Sequence, residues 1–467
     1  MDKATANVTG ASAGAPKLKS QVAVQNVLQN RILLAYGGLA LPLCIAGIPI
    51  VVYLPAFYAQ ELHFKTAFVG TVFLLARLWD GLSDVIVGWL SDRSMSRWGR
   101  RKPWAIIGTP LLMVSTWFLC NPPKSAGLAY LCVWAALFYT TWTAMYIPYL
   151  SWGTELAADY VERSRITIFR ETFTMLGVLF FAAAPLVFLG ANPQLHNVLF
   201  LISVTVLCTV PLTALPLGLF VSDPAPTERM ETHLLEKLAA LAKDRIFIRY
   251  AAARLFWFIE EGVGNSLLVF SASVGLQLPN KFYWMILILY IASLGTMPLT
   301  LRLAAHVEKH RLLATGVTIQ ALVYTTLLFI PRGNFTVVAA LWVAVGIANT
   351  AMLSLPTSIL ADIIDKGELM DGERRSGAYV AIDNLVYKIG MALGVGLSFW
   401  LMALVRYDPG AVHYSAVDMR NIRLLGFGLP SLLLAPAIIL YLTHPITRKV
   451  HRQLREQIDS RTASIAL

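Results

Sequence analysis

The chain is poor in charge and lacks the common motifs of catalysis. Only 14% of its 467 residues are charged, whereas soluble domains average about 25%. The sequence contains no Walker A loop, no zinc-spaced set of histidine and glutamate, and no G-x-S-x-G turn. These absences argue against an ATP-driven pump and against a membrane enzyme. We therefore expect neither enzymatic activity nor a cofactor.

Cysteine is also scarce, and histidine stays out of the apolar segments. The four cysteines lie in apolar segments without CxxC or metal spacing, which predicts small buried side chains. They are Cys44, Cys120, Cys132 and Cys208. The histidines fall in loops or near the ends of apolar runs, which argues against a histidine proton relay or a haem site. Residues 1–28 are polar and lack the order of a signal peptide.

Long hydrophobic runs are abundant. Hydrophobic residues make up 57% of the chain, its mean hydropathy is +0.63, and many runs exceed the roughly 18 residues that cross a bilayer. They predict an all-α membrane protein of about twelve transmembrane helices. The predicted spans are 32–57, 67–91, 103–121, 126–150, 166–191, 197–221, 248–273, 281–304, 312–331, 334–361, 377–405 and 422–443.

The spans divide into two groups of six around a polar connection. Two six-helix halves that repeat one another are the layout of the major facilitator fold. The predicted organisation is a cytoplasmic N-terminal segment, an N-terminal half, a linker with a surface helix, a C-terminal half and a basic tail. The corresponding ranges are 1–31, 32–221, 222–247, 248–443 and 444–467.

The net charge of +11 is concentrated in alternate loops. Five basic residues lie between Asp92 and Lys102, whereas the next connection, 121–127, contains only Lys124. The positive-inside rule assigns the richer loops to the cytoplasm. An even number of spans then places both termini there, and the charge indicates a lipid bilayer rather than nucleic acid as the partner.

The loop after span 2 reads GWLSDRSMSRWGRRK, and a fainter echo, AAHVEKHR, follows span 8. The first fits the facilitator loop pattern G-x-L-[SA]-D-R-x-x-x-R-x-G-R. Its candidate gating and structural residues are Gly88, Asp92, Arg93, Arg97, Gly99 and Arg100. The glycine of span 2 would allow a close helix approach, and Asp92 would pair with loop arginines or a helix end. The alternative is a loop that is merely basic.

Span 2 carries charges that are costly inside a membrane. Arg77, Asp80, Ser83 and Asp84 follow one another at i, i+3, i+6 and i+7, so they share one helical face. Two carboxylates with a hydroxyl beside them offer hard oxygen ligands for a cation. The alternative is a structural arrangement in which Arg77 pairs with Asp80 and a neighbour caps Asp84.

Other ionisable residues lie in spans 5, 7 and 11. Arg170 and Glu171 open span 5, where they can bind substrate or belong to a gate with Glu162, Arg163 and Arg165. Glu260 and Glu261 point about 100° apart, so at most one faces a central cavity squarely. The glycines that follow them suggest a kink or a broken helix near a site. In span 11, Asn384 and Lys388 are one turn apart, and the lysine needs an acid such as Asp80, Asp84 or Glu171.

Three blocks resemble the glycoside–pentoside–hexuronide:cation symporter family of the major facilitator superfamily. They are ARLWDGLSDVIVGWLSDRSMSRWGRRKPW (76–104), YIPYLSWGTELAADYVERSRITIFRETFTMLG (146–177) and ADIIDKGELMDGERRSGAYVAIDNLVYKIG (361–390). That family includes the melibiose permeases and the sodium-dependent lysophosphatidylcholine symporters. The third block adds Asp362 and Asp365 to the candidate gating residues.

The resemblance implies roles for individual residues. The cation site of the melibiose permeases matches Asp80, Ser83, Asp84 and Thr143. The candidate substrate residues are Tyr146, Arg170, Glu171, Glu261, Asn384 and Lys388. Span 1 lacks the aspartate by which the permeases bind sugar, and an acid of span 4 is Tyr146 here. Arg170 and Lys388 match the pair that the lysolipid branch directs toward an anionic headgroup.

The resemblance therefore implies a secondary-active symporter of the bacterial inner membrane. We expect a sodium-coupled transporter, with the proton as the alternative coupling ion. It is expected to be monomeric and to move a sugar-like or glycoside-like solute by alternating access. A sodium-coupled symporter of lysophospholipids or other anionic amphiphiles is the alternative. A membrane sensor that binds a ligand without moving it is a third reading, but it has no need for the carboxylates of span 2.

Overall fold

The structure is a computed structural model of the 467-residue chain. It describes residues 28–94, 96–157, 160–223, 244–371, 376–411 and 413–447, together with residues 241, 450 and 453. The predicted N-terminal segment lies largely outside these residues. Most of the predicted surface helix of the linker and of the basic tail also lies outside them.

Among the described residues, the first bundle has eight helices. They are α1 (Asn30–Gly38), α2 (Ala40–Val52), α3 (Leu54–Gln60), α4 (Thr66–Arg93), α5 (Lys102–Cys120), α6 (Leu128–Glu155), α7 (Tyr160–Leu189) and α8 (Leu195–Phe220). The first three occupy the place of a single predicted span. Pro49 and Pro55 lie on either side of the break at Tyr53, where a proline ring removes a backbone donor.

Seven helices and two π-helical segments lie in the described part of the second bundle. The helices are α9 (Arg245–Phe270), α10 (Phe282–His306), α11 (Lys309–Leu327), α12 (Phe335–Asp371), α13 (Ser376–Leu404), α14 (Ala416–Arg423) and α15 (Leu429–Leu442). The π-helical segments are Ser271–Gly275, after α9, and Leu424–Gly428, between α14 and α15.

Every predicted span coincides with a helix or a run of helices to within a few residues, except that α12 extends about ten residues beyond its predicted end. Within the described residues, nine helical stretches are long and apolar enough to cross a membrane. Helices α4, α9 and α11 are not among them. The prediction of an all-α membrane fold is confirmed, and the count of twelve spans and the domain boundaries stay predictions.

The two bundles meet at the end where α4 begins and α13 ends. Gly70 lies against Phe399, because a Cβ atom on Gly70 would lie 2.6 Å from the Phe399 Cβ. Trp400 donates its indole N–H to the hydroxyl of Thr71 at 3.1 Å. Nearby, the ring of Tyr53 contacts that of Tyr283, with 5.5 Å between centroids. Small residues and aromatic rings thus close the interface between the bundles at this end.

The first glycine of the pair in α9 serves helix packing. The helix runs without a break from Arg245 to Phe270, so the prediction of a broken helix at Gly262 and Gly264 is wrong, and a kink there stays a prediction. A Cβ on Gly262 would lie 2.7 Å from the carbonyl oxygen of Met391, in α13. Gly262 therefore lets α9 and α13 approach closely, whereas a Cβ on Gly264 would meet only ordinary contacts at 3.5 Å or more.

The outer surface of the bundles is apolar. Large hydrophobic side chains with high exposure include Phe329 at 80%, Leu404 at 75% and Leu219 at 74%. Such a surface suits lipid rather than water. The cysteines divide between core and surface: Cys120 is buried and Cys44 is half-buried, but Cys132 and Cys208 are exposed. The prediction that all four are buried is therefore wrong, because half of them face outward from their helices.

Candidate cation and substrate site

The carboxylates of α4 bind a lysine of the second bundle. The Lys388 ammonium lies 2.9 Å from Asp80 Oδ2 and 2.5 Å from Asp84 Oδ2, and it also donates to the Asp80 carbonyl oxygen at 3.2 Å. Only 1% of the Asp80 side chain and 13% of the Lys388 side chain are exposed. Of the acids considered from the sequence, Asp80 and Asp84 are thus the partners, and Glu171 is not.

Arg77 supplies a second positive charge to this cluster. Its guanidinium lies 3.5 Å from Asp80 Oδ2 and donates to the Tyr387 hydroxyl at 3.4 Å. It also lies over the Tyr139 and Tyr387 rings, at 5.6 and 5.8 Å from their centroids. The predicted Arg77–Asp80 pair therefore exists, but it is long and is shared with aromatic faces. Two acids and two bases make the cluster electrically neutral.

Hydroxyl groups complete the oxygen-rich side of the cluster. Thr143, on α6, lies 3.0 Å from Asp80 Oδ1 and 3.1 Å from Asp84 Oδ1. The Ser83 hydroxyl donates a hydrogen bond to the Asp80 carbonyl oxygen at 2.9 Å and lies 3.2 Å from the Thr143 hydroxyl. The four predicted cation ligands thus converge, although Thr143 is about 60 residues away along the chain. Carboxylate and hydroxyl oxygens of this kind suit a hard cation.

Three of the predicted substrate residues, Tyr146, Arg170 and Glu171, lie together in the first bundle beside aromatic side chains. Tyr146 stacks on Trp142, with 4.4 Å between ring centroids. Arg170 pairs with its neighbour Glu171 at 2.5 Å and lies beside Tyr36 and Tyr146. The alternative that placed Arg170 and Glu171 in a gate is not favoured by these contacts.

The residues proposed for that gate pair separately. Glu162 binds Arg165 at 2.7 Å, and Arg163 donates to the carbonyl oxygen of Ala157 at 2.8 Å.

The two glutamates of α9 point to different places. Glu260 is 1% exposed and accepts a hydrogen bond from Gln320 at 3.2 Å, inside the second bundle. Glu261 is less buried and lies within electrostatic range of Arg254 and Arg77. Glu261, and not Glu260, is therefore the acid directed toward the interface between the bundles, as the helical spacing allowed.

Arg254 and Asp383 form an ion pair at 3.1 Å between α9 and α13. Arg254 was missed in the sequence, although it lies seven residues before Glu261 and therefore on the same helical face. Asn384, the neighbour of Asp383, is exposed one turn before Lys388. Its side chain has no hydrogen bond to another described residue, and its proposed role in substrate binding stays a prediction.

The basic loop after α4 is a network rather than a loose set of charges. Arg101 donates hydrogen bonds to Asp92 at 2.6 Å and to Glu155 at 2.8 Å, and Arg100 forms an ion pair with the other oxygen of Glu155, at 2.7 Å. The predicted pairing of Asp92 with a loop arginine is present. Glu155 was not predicted as a partner, because it belongs to the end of α6, more than 50 residues away.

Other residues of the loop pattern have different surroundings. Gly99 has a φ of +112°, and a Cβ there would collide with Asp223, which accepts hydrogen bonds from the backbone of Arg101 at 2.7 Å. Gly88 does not enforce a close helix approach, since its Cβ would lie 3.7 Å from Ile147. Arg93 and Arg97 lie over the rings of the neighbouring Trp89 and Trp98.

The second bundle has a comparable group at the start of α11. Lys309 donates to both oxygens of Asp362, at 2.9 and 2.8 Å, and Asp365 is 2% exposed one turn later. The rings of His310 and His444 lie 5.8 Å apart. Burial, together with the positive charges of His310 and Arg249, lowers the pKa of His444 to about 4.

A family model described as MFS/sugar transport protein matches residues 35–448. The chain belongs to this family. An uncharacterised symporter of Synechocystis is 24% identical, over 92% of this chain and 96% of the relative. The mouse sodium-dependent lysophosphatidylcholine symporter 1 is 21% identical, over 95% and 90%. This chain is thus a multi-pass transporter of the major facilitator superfamily and not an enzyme, and the resemblance found in the sequence is confirmed.

Solved structures share the fold of this family. A bacterial homologue of the human lysosomal transporter Spinster, in an inward-facing and unoccupied conformation, superposes with a TM-score of 0.66. The superposition covers 91% of this chain and 98% of the Spinster homologue, at 14% sequence identity. The prediction of the major facilitator fold is confirmed. At this identity the likeness concerns the fold alone.

Proposed function

We propose that the chain is a cation-coupled symporter in which a cation and Lys388 alternate at the Asp80–Asp84 pair. The observation that carries this proposal is the neutral cluster of Arg77, Lys388 and the two acids between the bundles. A cation that entered this cluster would give it a charge of +1, which is costly where water is scarce. Binding therefore drives the Lys388 ammonium away from the carboxylates.

Displacement of Lys388 links cation binding to the position of the bundles. The ammonium belongs to α13, whereas the acids belong to α4, so this contact holds the bundles together at mid-depth. When the cation takes its place, α13 is free to move relative to α4. Rocking of two halves around a fixed site is the usual motion of such transporters.

The proposed substrate is a sugar-like or glycoside-like solute. The Trp142–Tyr146 stack offers a flat apolar face beside the Arg170–Glu171 pair. Lys388 and Arg170 are both neutralised by acids in this conformation, so neither presents a net charge to an anion. The proposed coupling ion is sodium, with the proton as the alternative. We further propose a monomer in the bacterial inner membrane with cytoplasmic termini.

An anionic amphiphile, such as a lysophospholipid, is the second candidate. Displacement of Lys388 by a cation would leave its ammonium without a carboxylate, and an anionic headgroup could then bind it. A relative that covers most of the chain is named as a sodium-dependent lysophosphatidylcholine symporter. In this case the anionic headgroup of the substrate, rather than a hydroxyl group of a sugar-like solute, would bind the displaced Lys388 ammonium in the cation-bound state.

Sodium-dependent thermal stabilisation of the purified protein tests the coupling. Sodium should raise Tm relative to choline at equal ionic strength, and Asp80→Asn and Asp84→Asn should each abolish the rise while the protein stays folded. Each variant removes one charged ligand and keeps its volume. The exposed Lys124→Ala is the control, and it should respond as the wild type does. A full sodium response in both aspartate variants would place the cation site elsewhere.

The same assay screens the substrate. Sugars, glycosides and lysolipids are added with sodium and with choline. A solute that raises Tm only in the presence of sodium identifies the substrate class and the coupling ion together.

A further inference from the structure

A cavity lies between the bundles, at the end where they meet. Its volume is about 380 Å³, which is within the usual range of roughly 300–1,000 Å³ for ligand pockets. One wall comes from the end of α3, the start of α4 and the segment between them, and the other from the end of α13 and the segment that follows it. The Asp80–Asp84 cluster is not part of its lining.

Basic side chains from both bundles line this cavity. Lys65 comes from the first bundle and Arg406 from the second, and both are exposed. Neither has a carboxylate within ion-pair distance among the described residues, and Lys65 lies instead 5.9 Å from the centre of the Phe68 ring. Asp408 is the one acid of the lining, and it accepts a backbone hydrogen bond from Gly410 at 3.0 Å. With His63 neutral, the lining carries a net charge of about +1.

The start of α4 adds to the positive potential of one wall. Helix α4 begins at Thr66, which lines the cavity, and has no side-chain cap, so its positive end faces the same region as Lys65. Tyr407 also belongs to the lining, but it is 4% exposed and its ring stacks on that of Tyr414, at 5.4 Å between centroids. Two cations without a carboxylate partner in the described part of the chain and a positive helix end favour an anion with more than one acceptor oxygen.

We infer that this cavity binds a phosphate group, with Lys65 and Arg406 as its two charged ligands. The planar fork of an arginine and the compact ammonium of a lysine both suit phosphate oxygens. Because the ligands come from different bundles, the anion binds best when the bundles meet at this end. By linkage it stabilises that conformation. The phosphate belongs either to a free ion or to the headgroup of an anionic lipid.

Contact between the bundles at the edge of the cavity supports this linkage. A Cβ on Gly410 would lie 2.3 Å from the Nδ1 atom of His63, so the imidazole packs directly on the backbone of the opposite bundle. Separation of the bundles would open this contact and move Arg406 away from Lys65. The site thus acts on the conformational equilibrium and does not depend on the proposed cation coupling.

Thermal unfolding of the full-length protein in neutral detergent tests the site with inorganic phosphate as the probe. The sodium concentration and the ionic strength are held constant, so the Asp80–Asp84 site contributes no change. Phosphate should raise Tm in the wild type and in Lys124→Ala, which removes an exposed lysine from another loop. In the double variant Lys65→Ala/Arg406→Gln the apparent affinity should fall at least tenfold.

Nanodiscs distinguish the two sources of the phosphate. If free phosphate has no effect but phosphatidylglycerol raises Tm above that in pure phosphatidylcholine, and the double variant loses this gain, the ligand is a lipid headgroup. If the double variant responds as the wild type does, or if neither probe stabilises the wild type, the site does not exist.

Hydrogen exchange tests the linkage between the bundles in the wild type. The effective probe should slow exchange in both 59–67 and 403–410, because it holds the two walls together. Slowing in one segment alone would refute a ligand that bridges the bundles.

Discussion

Replacement of Lys388 by alanine is the sharpest test of the displacement mechanism. The change removes an ammonium that lies 2.9 Å from Asp80 and 2.5 Å from Asp84, and it leaves both acids and Arg77 in place. In the wild type a cation competes with this ammonium. Without it the cluster carries a net charge of −1, which a cation neutralises.

The expected gain in cation affinity follows from the contacts that disappear. A hydrogen bond to a charged group contributes roughly 1.5–3 kcal/mol. We take the net cost of displacing the Lys388 ammonium as the free energy of one such bond. Sodium should then bind roughly 10- to 150-fold more tightly in Lys388→Ala. Calorimetric titration of sodium at a fixed alkaline pH measures this, since a proton would otherwise replace the missing charge. Lys124→Ala serves as the control.

The same variant separates the two substrate classes. For a neutral solute, cation binding should tighten or lose its dependence on substrate. For an anionic amphiphile, cation binding should tighten as well, but substrate affinity should weaken by roughly 1.5–3 kcal/mol, because the headgroup loses the displaced ammonium. An unchanged cation affinity would refute the displacement mechanism. The burial of Lys388 against the acids already argues against a lysine that merely extends to the membrane surface.

Two further predictions concern packing and pH. Gly262→Ala should destabilise the protein by about 1–3 kcal/mol, because its Cβ would lie 2.7 Å from a backbone oxygen of α13; Gly264→Ala is the matched control, and equal Tm values would contradict the close packing. The pKa of His444 is lowered to about 4 in the folded protein, whereas it is near 6.5 in the unfolded chain. As the pH falls, the unfolded chain binds the proton first, so the free energy of unfolding decreases between pH 6.5 and 4, by about 3 kcal/mol in total. His444→Gln should flatten the Tm profile over this range relative to the exposed His306→Gln, and parallel profiles would count against the buried histidine.

The helices could be predicted from the sequence because a membrane imposes their length and apolar character. The breaks within the first predicted span were not predicted, although Pro49 and Pro55 are visible in the sequence. Hydropathy averages over a window and does not register a missing backbone donor. The end of α12 was also misplaced, because its last turns are polar and leave no hydropathy signal.

Some features of the candidate site follow from local sequence spacing, whereas others depend on tertiary packing. Asp80 and Asp84 could be placed on one face because helical spacing is local, and Thr143 entered only through the family resemblance. Partners set by packing were missed or left open. Glu155 and Asp223 meet Arg101 from distant parts of the chain, and nothing in the local pattern specifies such contacts.

The location of the ion pairs explains why one cluster can couple a cation to motion. Arg170–Glu171 lies within one helix, and Arg254–Asp383 lies within the second bundle. Among ion pairs between described residues, those of Lys388 with the two acids of α4 join the bundles. A cation that binds elsewhere would change the charge of one bundle only. At this cluster it removes an attraction between the bundles, so the free energy of cation binding acts directly on their separation.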